Sequence, residues 1–147
     1  MTYEISGENA MPNLDRILET AIYVDDLSRS IRFYQDVLQL RVLVRDDRFC
    51  AFDVSGRSVL LLFRRGASAN AIELPGGVIP AHGGWGELHI AFAVAVTELP
   101  IWVAHLESHG VGIESSVDWP LGGKSVYFRD PDKNLLELAT PGVWATY

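Results

Sequence analysis

A chain of 147 residues with 48% apolar and 21% charged side chains is long enough for one well-buried globular domain and too short for two ordinary ones. Nineteen acidic against twelve basic residues give a net charge of −7. A surface of that sign repels phosphate backbones and argues against nucleic acid as a partner. The strongest apolar stretches, Ser58–Phe63 and Ile90–Val96, fall far short of the roughly 20 residues that span a bilayer, so no membrane segment is expected. The start, Met1–Asn13, carries Glu4 and Glu8 and lacks a basic-then-apolar signal pattern, which makes the cytoplasm the expected location. The lone cysteine, Cys50, excludes an internal disulfide, and its apolar setting between Phe49 and Phe52 reads as a buried, inert thiol.

The chain reads as the same unit twice. Ile17–Val24 and Leu88–Val96 each have strand character, and each is followed by a short polar break and a helical pattern. After the first strand, Asp26 supplies an N-cap, and Leu27, Ile31, Tyr34 and Leu38 repeat at helical spacing. After the second, Thr97 is the expected cap, Pro100 falls in the tolerant first turn, and Leu99, Val103 and Leu106 form the apolar stripe. His109-Gly110 ends that helix. Three short strands follow each helix: Leu40–Arg45, Phe49–Val54 and Ser58–Phe63, then Val111–Val117, Ser125–Arg129 and Leu135–Ala139. The expected class is α+β, with two βαβββ modules. Between them the Gly-, Pro- and Ser-rich stretch Arg64–Gly86 has no clear period and reads as a mobile or disordered linker.

Strand alternation shows which faces carry polar groups. Leu88, Ile90, Phe92 and Val94 point one way, while His89, Ala91, Ala93 and Ala95 make a face of small or polar side chains that should border a space. Glu19 is the anomaly of the first strand and Glu137 that of the last. Burying a carboxylate is costly unless it is paired, hydrogen-bonded or bound to a cation. Glu19, His89 and Glu137 occupy equivalent or complementary positions of the repeat, and side-by-side first strands would let them converge on a divalent metal. The competing reading leaves them as structural groups, with the carboxylates satisfied by Arg48 or Arg129. Asp130-Pro131-Asp132 reads as a turn, not as ligands.

The stretch LETAIYVDDLSRSIRFYQDVLQL resembles the opening module of the vicinal oxygen chelate superfamily. GELHIAFAV is similar to its second opening, and SVYFRDPDKNLLEL to its closing hairpin. That superfamily includes glyoxalase I, extradiol dioxygenases and the fosfomycin- and bleomycin-resistance proteins. The resemblance covers residues 14–141. It implies one domain, with a first module over about 14–64, a linker over 65–86 and a second module over about 87–141, its sheet curving around a metal-containing cavity.

Carried over by position, the resemblance implies His89 and Glu137 as metal ligands, with the first-strand ligand, usually His, falling on Glu19. The fourth position used by glyoxalase I falls in apolar Val59–Phe63. The implied cofactor is one divalent ion: Mn, Fe, Ni, Zn or Mg. Ser125-Val126-Tyr127 matches the Ser-x-Tyr that helps hold substrate in the fosfomycin-resistance proteins, and Trp85 is a further candidate substrate contact. Tyr127 is a candidate donor to a developing oxyanion, and His82, in the glycine-rich PAHGGWG, is a candidate mobile acid or base. The implied activity is metal-dependent turnover of a small oxygen-bearing substrate, by lyase or isomerase chemistry in preference to dioxygenation. The alternative is a drug-sequestering binding protein of the bleomycin-resistance type. A homodimer is implied in either case.

Overall fold

A computed structural model describes residues 11–147, so most of the segment read for a signal pattern, including Glu4 and Glu8, lies outside the described residues. The two predicted modules form in order. Module one runs β1 (Glu19–Val24), α1 (Leu27–Asp36), β2 (Arg41–Arg45), β3 (Phe49–Val54) and β4 (Ser58–Arg64). The segment between modules contributes β5 (Ile72–Leu74) and β6 (Gly77–Ile79). Module two runs β7 (His89–Ala93), α2 (Leu99–Ser108), β8 (Ser115–Asp118), β9 (Lys124–Arg129) and β10 (Leu135–Ala139). No described helix is long and apolar enough to cross a membrane.

Each module folds its strands into a mixed four-stranded sheet, β1-β4-β3-β2 and β7-β10-β9-β8. The first and last strands of a module run parallel, which the intervening helix permits, and the remaining neighbours are antiparallel. The two sheets share no paired strand; β1 and β7 are outer strands of separate sheets.

The face facing the helices is apolar by alternation. Ile22 and Val24 of β1, Phe52, Leu60 and Leu62 bury against Ile31 and Tyr34 of α1. The same cluster continues through Leu99 and Leu106 of α2 to Val126, Phe128, Leu136 and Leu138. One core therefore serves both modules, and each fully buried Leu or Phe contributes about 1.5–3 kcal/mol relative to exposure. Cys50 is fully buried, as its neighbours imply, and burial pushes its thiol up to about 11.

Asp26 caps α1 as expected, its carboxylate accepting from the Arg29 N–H. The cap of α2 differs: Glu98 stands there, not Thr97, and no side chain closes the helix end. Residues 95–98 already form a turn in which Glu98 N–H and Leu99 N–H both bond the Ala95 carbonyl, so the start is set by the backbone.

A polar clamp joins the modules. The turn Asp130-Pro131-Asp132 between β9 and β10 places Asp130 almost fully inside the protein. Its carboxylate accepts from Tyr34 Oη of α1 at 2.7 Å, from Asn134 Nδ2 at 2.9 Å, and from the backbone N–H of Asp132 and Asn134. Asp132 accepts from Ser30 Oγ at 3.0 Å and from the Asp25 N–H at 2.9 Å. Burial, and after it the charge of Asp130, raise the Tyr34 phenol well above its ordinary value, so it stays a donor.

The inter-module segment is structured, contrary to the expectation of a mobile or disordered linker. Pro75-Gly76 turns the β5–β6 hairpin, with Ile72 opposite Ile79 and Leu74 opposite Gly77. Beyond it, Ser68 ties the chain down by donating to the His82 carbonyl at 2.7 Å and accepting from the His82 N–H through its own carbonyl.

Candidate functional site

The face of module two turned away from the helices is the open one. His89, Ala91 and Ala93 stand along β7, beside Glu137 and Ala139 of β10 and Tyr127 of β9, and they line a cavity of about 530 Å³. The small side chains read from alternation do border a space.

The polar centre of this cavity is the His89–Glu137 pair. His89 Nδ1 lies 2.8 Å from the Leu135 carbonyl, which can only accept, so Nδ1 carries the ring proton. Nε2 therefore turns toward Glu137 Oε1, 3.1 Å away. With a neutral imidazole and an ionised carboxylate, two lone pairs face each other, and a cation, either a proton or a metal ion, must lie between them. Two adjacent ligands on one divalent ion are separated by about 3.0–3.4 Å for bonds of about 2.1 Å at octahedral to tetrahedral angles. The observed separation is compatible with a hydrogen bond and with two ligands of one metal ion.

Glu137 is 5% exposed, and its second oxygen is also taken: Ser125 Oγ donates to Oε2 at 2.5 Å. Trp119 Nε1 in turn donates to Ser125 Oγ at 2.8 Å. Ser125 is fully buried, so its hydroxyl orients the carboxylate and its proton is not available to a substrate. The sequence identified Ser125 but not this use of it, and Trp119 carried no signal at all. The Tyr127 ring stacks near His89 at 6.3 Å between centroids. Burial, and after it the charge of Glu137, raise its phenol above the ordinary value, so Tyr127 remains a proton donor near neutral pH.

The remaining predicted residues lie on β1 and on the segment between the modules. Glu19 is exposed at the start of β1. Tyr23, on the same strand face four residues on, donates to or accepts from His82 Nδ1 at 2.7 Å, and Phe63 meets the His82 ring edge-on at 4.7 Å. Gly84 lets the chain cross the Tyr23 ring, since a Cβ there would lie 2.6 Å from it. Trp85 is 81% exposed and covers the guanidinium of Arg65, which pairs with Asp25. His82, Gly84, Trp85, Arg65 and Asp25 line a separate cavity, which Glu19 does not reach. One chain thus brings His89, Tyr127, Ser125 and Glu137 together and holds Glu19, His82 and Trp85 apart from them. No three His, Cys, Asp or Glu side chains converge on a metal position among the described residues. The arginine alternative does not form: Arg129 pairs with Glu114 and Glu87, and Arg48 with Asp46.

Paired βαβββ modules, one of them with an open face lined by a histidine and a glutamate, define the class of fold. The Glyoxalase/Bleomycin resistance protein/Dioxygenase superfamily model matches residues 16–138, and the chain belongs to that family. It is 32% identical to a metallothiol transferase of Bacillus licheniformis over 122 residues, covering 82% of this chain and 72% of that protein. It is 31% identical to a catechol-2,3-dioxygenase of Bacillus subtilis over 116 residues, 78% of this chain but 38% of that enzyme. A lactoylglutathione lyase from Agrobacterium tumefaciens superposes with a TM-score of 0.83 at 33% identity, over 91% of this chain and 99% of that one. The relatives are named as enzymes of different chemistry, so family membership supports an enzyme of this superfamily and leaves the reaction to the site.

Proposed function

We propose that the protein is a metal-dependent enzyme acting on a small oxygen-bearing organic substrate, with one divalent ion held by His89 and Glu137 and completed by Glu19 of a second copy of the chain. The observation that carries this reading is His89 Nε2 set 3.1 Å from the buried Glu137 carboxylate, with Nδ1 already engaged by the Leu135 carbonyl. Glu19 is exposed on an outer strand of another sheet, and a two-fold dimer would carry it to the module-two face of its partner. When bound, the metal supplies Lewis-acid stabilisation of negative charge on substrate oxygen.

The chain's own residues do the rest. Leu135 and Ser125 hold the two ligands in orientation, which keeps the site formed before the substrate arrives. Tyr127 offers a phenol proton to a substrate oxygen. His82, anchored through Nδ1 by Tyr23, leaves Nε2 to exchange a proton. Two carboxylates with one histidine are the reverse of the two-histidine, one-carboxylate set of iron oxygenases, which favours lyase, isomerase or group-transfer chemistry. Two of the three named relatives, a transferase and a lyase, agree with that preference.

The test is metal content by elemental mass spectrometry after reconstitution, with a complementation arm. Wild type should retain near-stoichiometric metal, and Glu19→Ala and Glu137→Ala should each lose it. Unfolding and re-annealing the two variants together should restore about a quarter of the wild-type metal, because a mixed dimer regains one intact site. No recovery would overturn the shared site. Metal retention in Glu137→Ala would overturn the metalloenzyme reading and favour a sequestering protein.

A further inference from the structure

Residues 141–147 lie past the end of the family match at residue 138. They nonetheless build one wall of the cavity that holds His89 and Glu137. Val143, Trp144 and Tyr147 line it together with Trp119 and the small Ala91 and Ala93.

The segment is fixed in place by backbone contacts and one phenol. Gly142 crosses Gly123 so closely that a Cβ on Gly142 would stand 2.4 Å from the Gly123 nitrogen, and one on Gly123 would stand 2.4 Å from the Gly142 carbonyl carbon. Gly142 also has φ +101°, a conformation side chains disfavour. The segment then closes on itself: the Gly142 and Trp144 N–H groups donate to the Tyr147 carbonyl at 2.7 and 3.2 Å, and the Tyr147 N–H donates to the Trp144 carbonyl at 3.1 Å. Tyr147 Oη donates to the Ala139 carbonyl at 2.9 Å, with the Val94 carbonyl at 3.3 Å. Tyr147 thereby hooks the segment across the ends of β10 and β7.

These anchors leave the Trp144 indole on the cavity wall, 72% exposed. The Trp119 indole N–H is taken by its bond to Ser125, so the ring meets the space without a free donor. The cavity is lined both by the polar His89–Glu137 pair and by the aromatic rings of Trp119, Tyr127, Trp144 and Tyr147. We infer that the substrate carries a planar apolar group, most simply an aromatic ring, beside its oxygen-bearing head, and that Trp144 is the residue that selects for it. This inference rests on the metal reading above and adds the second half of the substrate.

Flat, rigid aromatics recognise other flat apolar groups through stacking and area removed from water. The test uses two bidentate oxygen ligands that differ only in that half, benzohydroxamate and acetohydroxamate, titrated calorimetrically into the metal-reconstituted protein. Benzohydroxamate should bind at least about tenfold more tightly. Trp144→Ala should bring the ratio close to one while acetohydroxamate affinity and metal content stay at wild-type levels, and Trp144→Phe should keep part of the preference. A ratio near one in the wild type, or a ratio unchanged in Trp144→Ala, overturns the aromatic subsite and leaves the metal reading standing. If neither hydroxamate binds and the protein retains no metal, the metal reading fails and this inference falls with it.

Discussion

The two modules share strand order and register, which lets them be compared residue by residue. Glu19 pairs with Val59 and Ala21 with Leu61 in module one; His89 pairs with Leu135 and Ala91 with Glu137 in module two. Glu19 thus stands where module two has His89, and Leu61 where it has Glu137. One step across each sheet, Ala51 opposes Leu61 and Tyr127 opposes Glu137, while Phe49 opposes Phe63 and Ser125 opposes Ala139. Module one fills its open face with the stacked Phe49–Phe63 pair, Tyr23 and the docked His82. Module two keeps Ala93 and Ala139 at the corresponding places and leaves room. The same scaffold is packed shut in one copy and open in the other, and the His89–Glu137 pair lies in the open one. In both, the segment after the last strand folds back over that face.

The turn between the third and fourth strands marks the same asymmetry energetically, and breaking it should give the largest effect. In module one this turn is solvated around Ser55-Gly56, whereas in module two it buries Asp130. Asp130→Ala strands the Tyr34 hydroxyl and two backbone N–H groups. It should lower unfolding free energy by about 3–4 kcal/mol in urea titrations, while Asp53→Ala, at the module-one turn, should cost under about 1 kcal/mol. Equal losses would mean the clamp does not join the modules.

Next in size is the support of the ligand pair. Ser125→Ala removes the hydrogen bond that Phe49 cannot supply in module one, and metal affinity should fall about 10–100-fold with the fold intact by circular dichroism. An unchanged affinity would show that Glu137 holds its orientation without help. The smallest effect concerns Cys50 of module one. Its folded thiol titrates at about 11, above an unfolded value of about 8.5. Between those values the unfolded chain binds fewer protons, so stability is fully present below about pH 8.5 and declines as pH rises toward 11. Cys50→Ala should flatten that part of the pH–stability curve, and native Cys50 should resist thiol reagents at pH 8.

Much of this was legible in the sequence for a physical reason: alternation and helical period report burial directly, and the repeat doubles the signal. His89, Ala91 and Ala93 announced an open face because small side chains cannot fill one. The β5–β6 hairpin was missed although Leu74-Pro75-Gly76-Gly77 is good turn chemistry, because its strands are three residues long and exposed and show no burial period. Trp119 and Trp144 gave no pattern either, since their positions follow from turns and a backbone crossing. The placing of Glu19 depends on how chains associate, which alternation within one chain does not encode.

The crossing of Gly142 over Gly123 has a consequence for how such a protein can change. On the proposed reading, ligand selection there is carried by residues 141–147, fastened by backbone contacts and one phenol, while His89 and Glu137 belong to the sheet. Under the proposed function, exchanging those few residues would change which substrates bind while leaving the side chains proposed to hold the metal in place. Selectivity and reactivity are then separable units of inheritance, each open to alteration on its own.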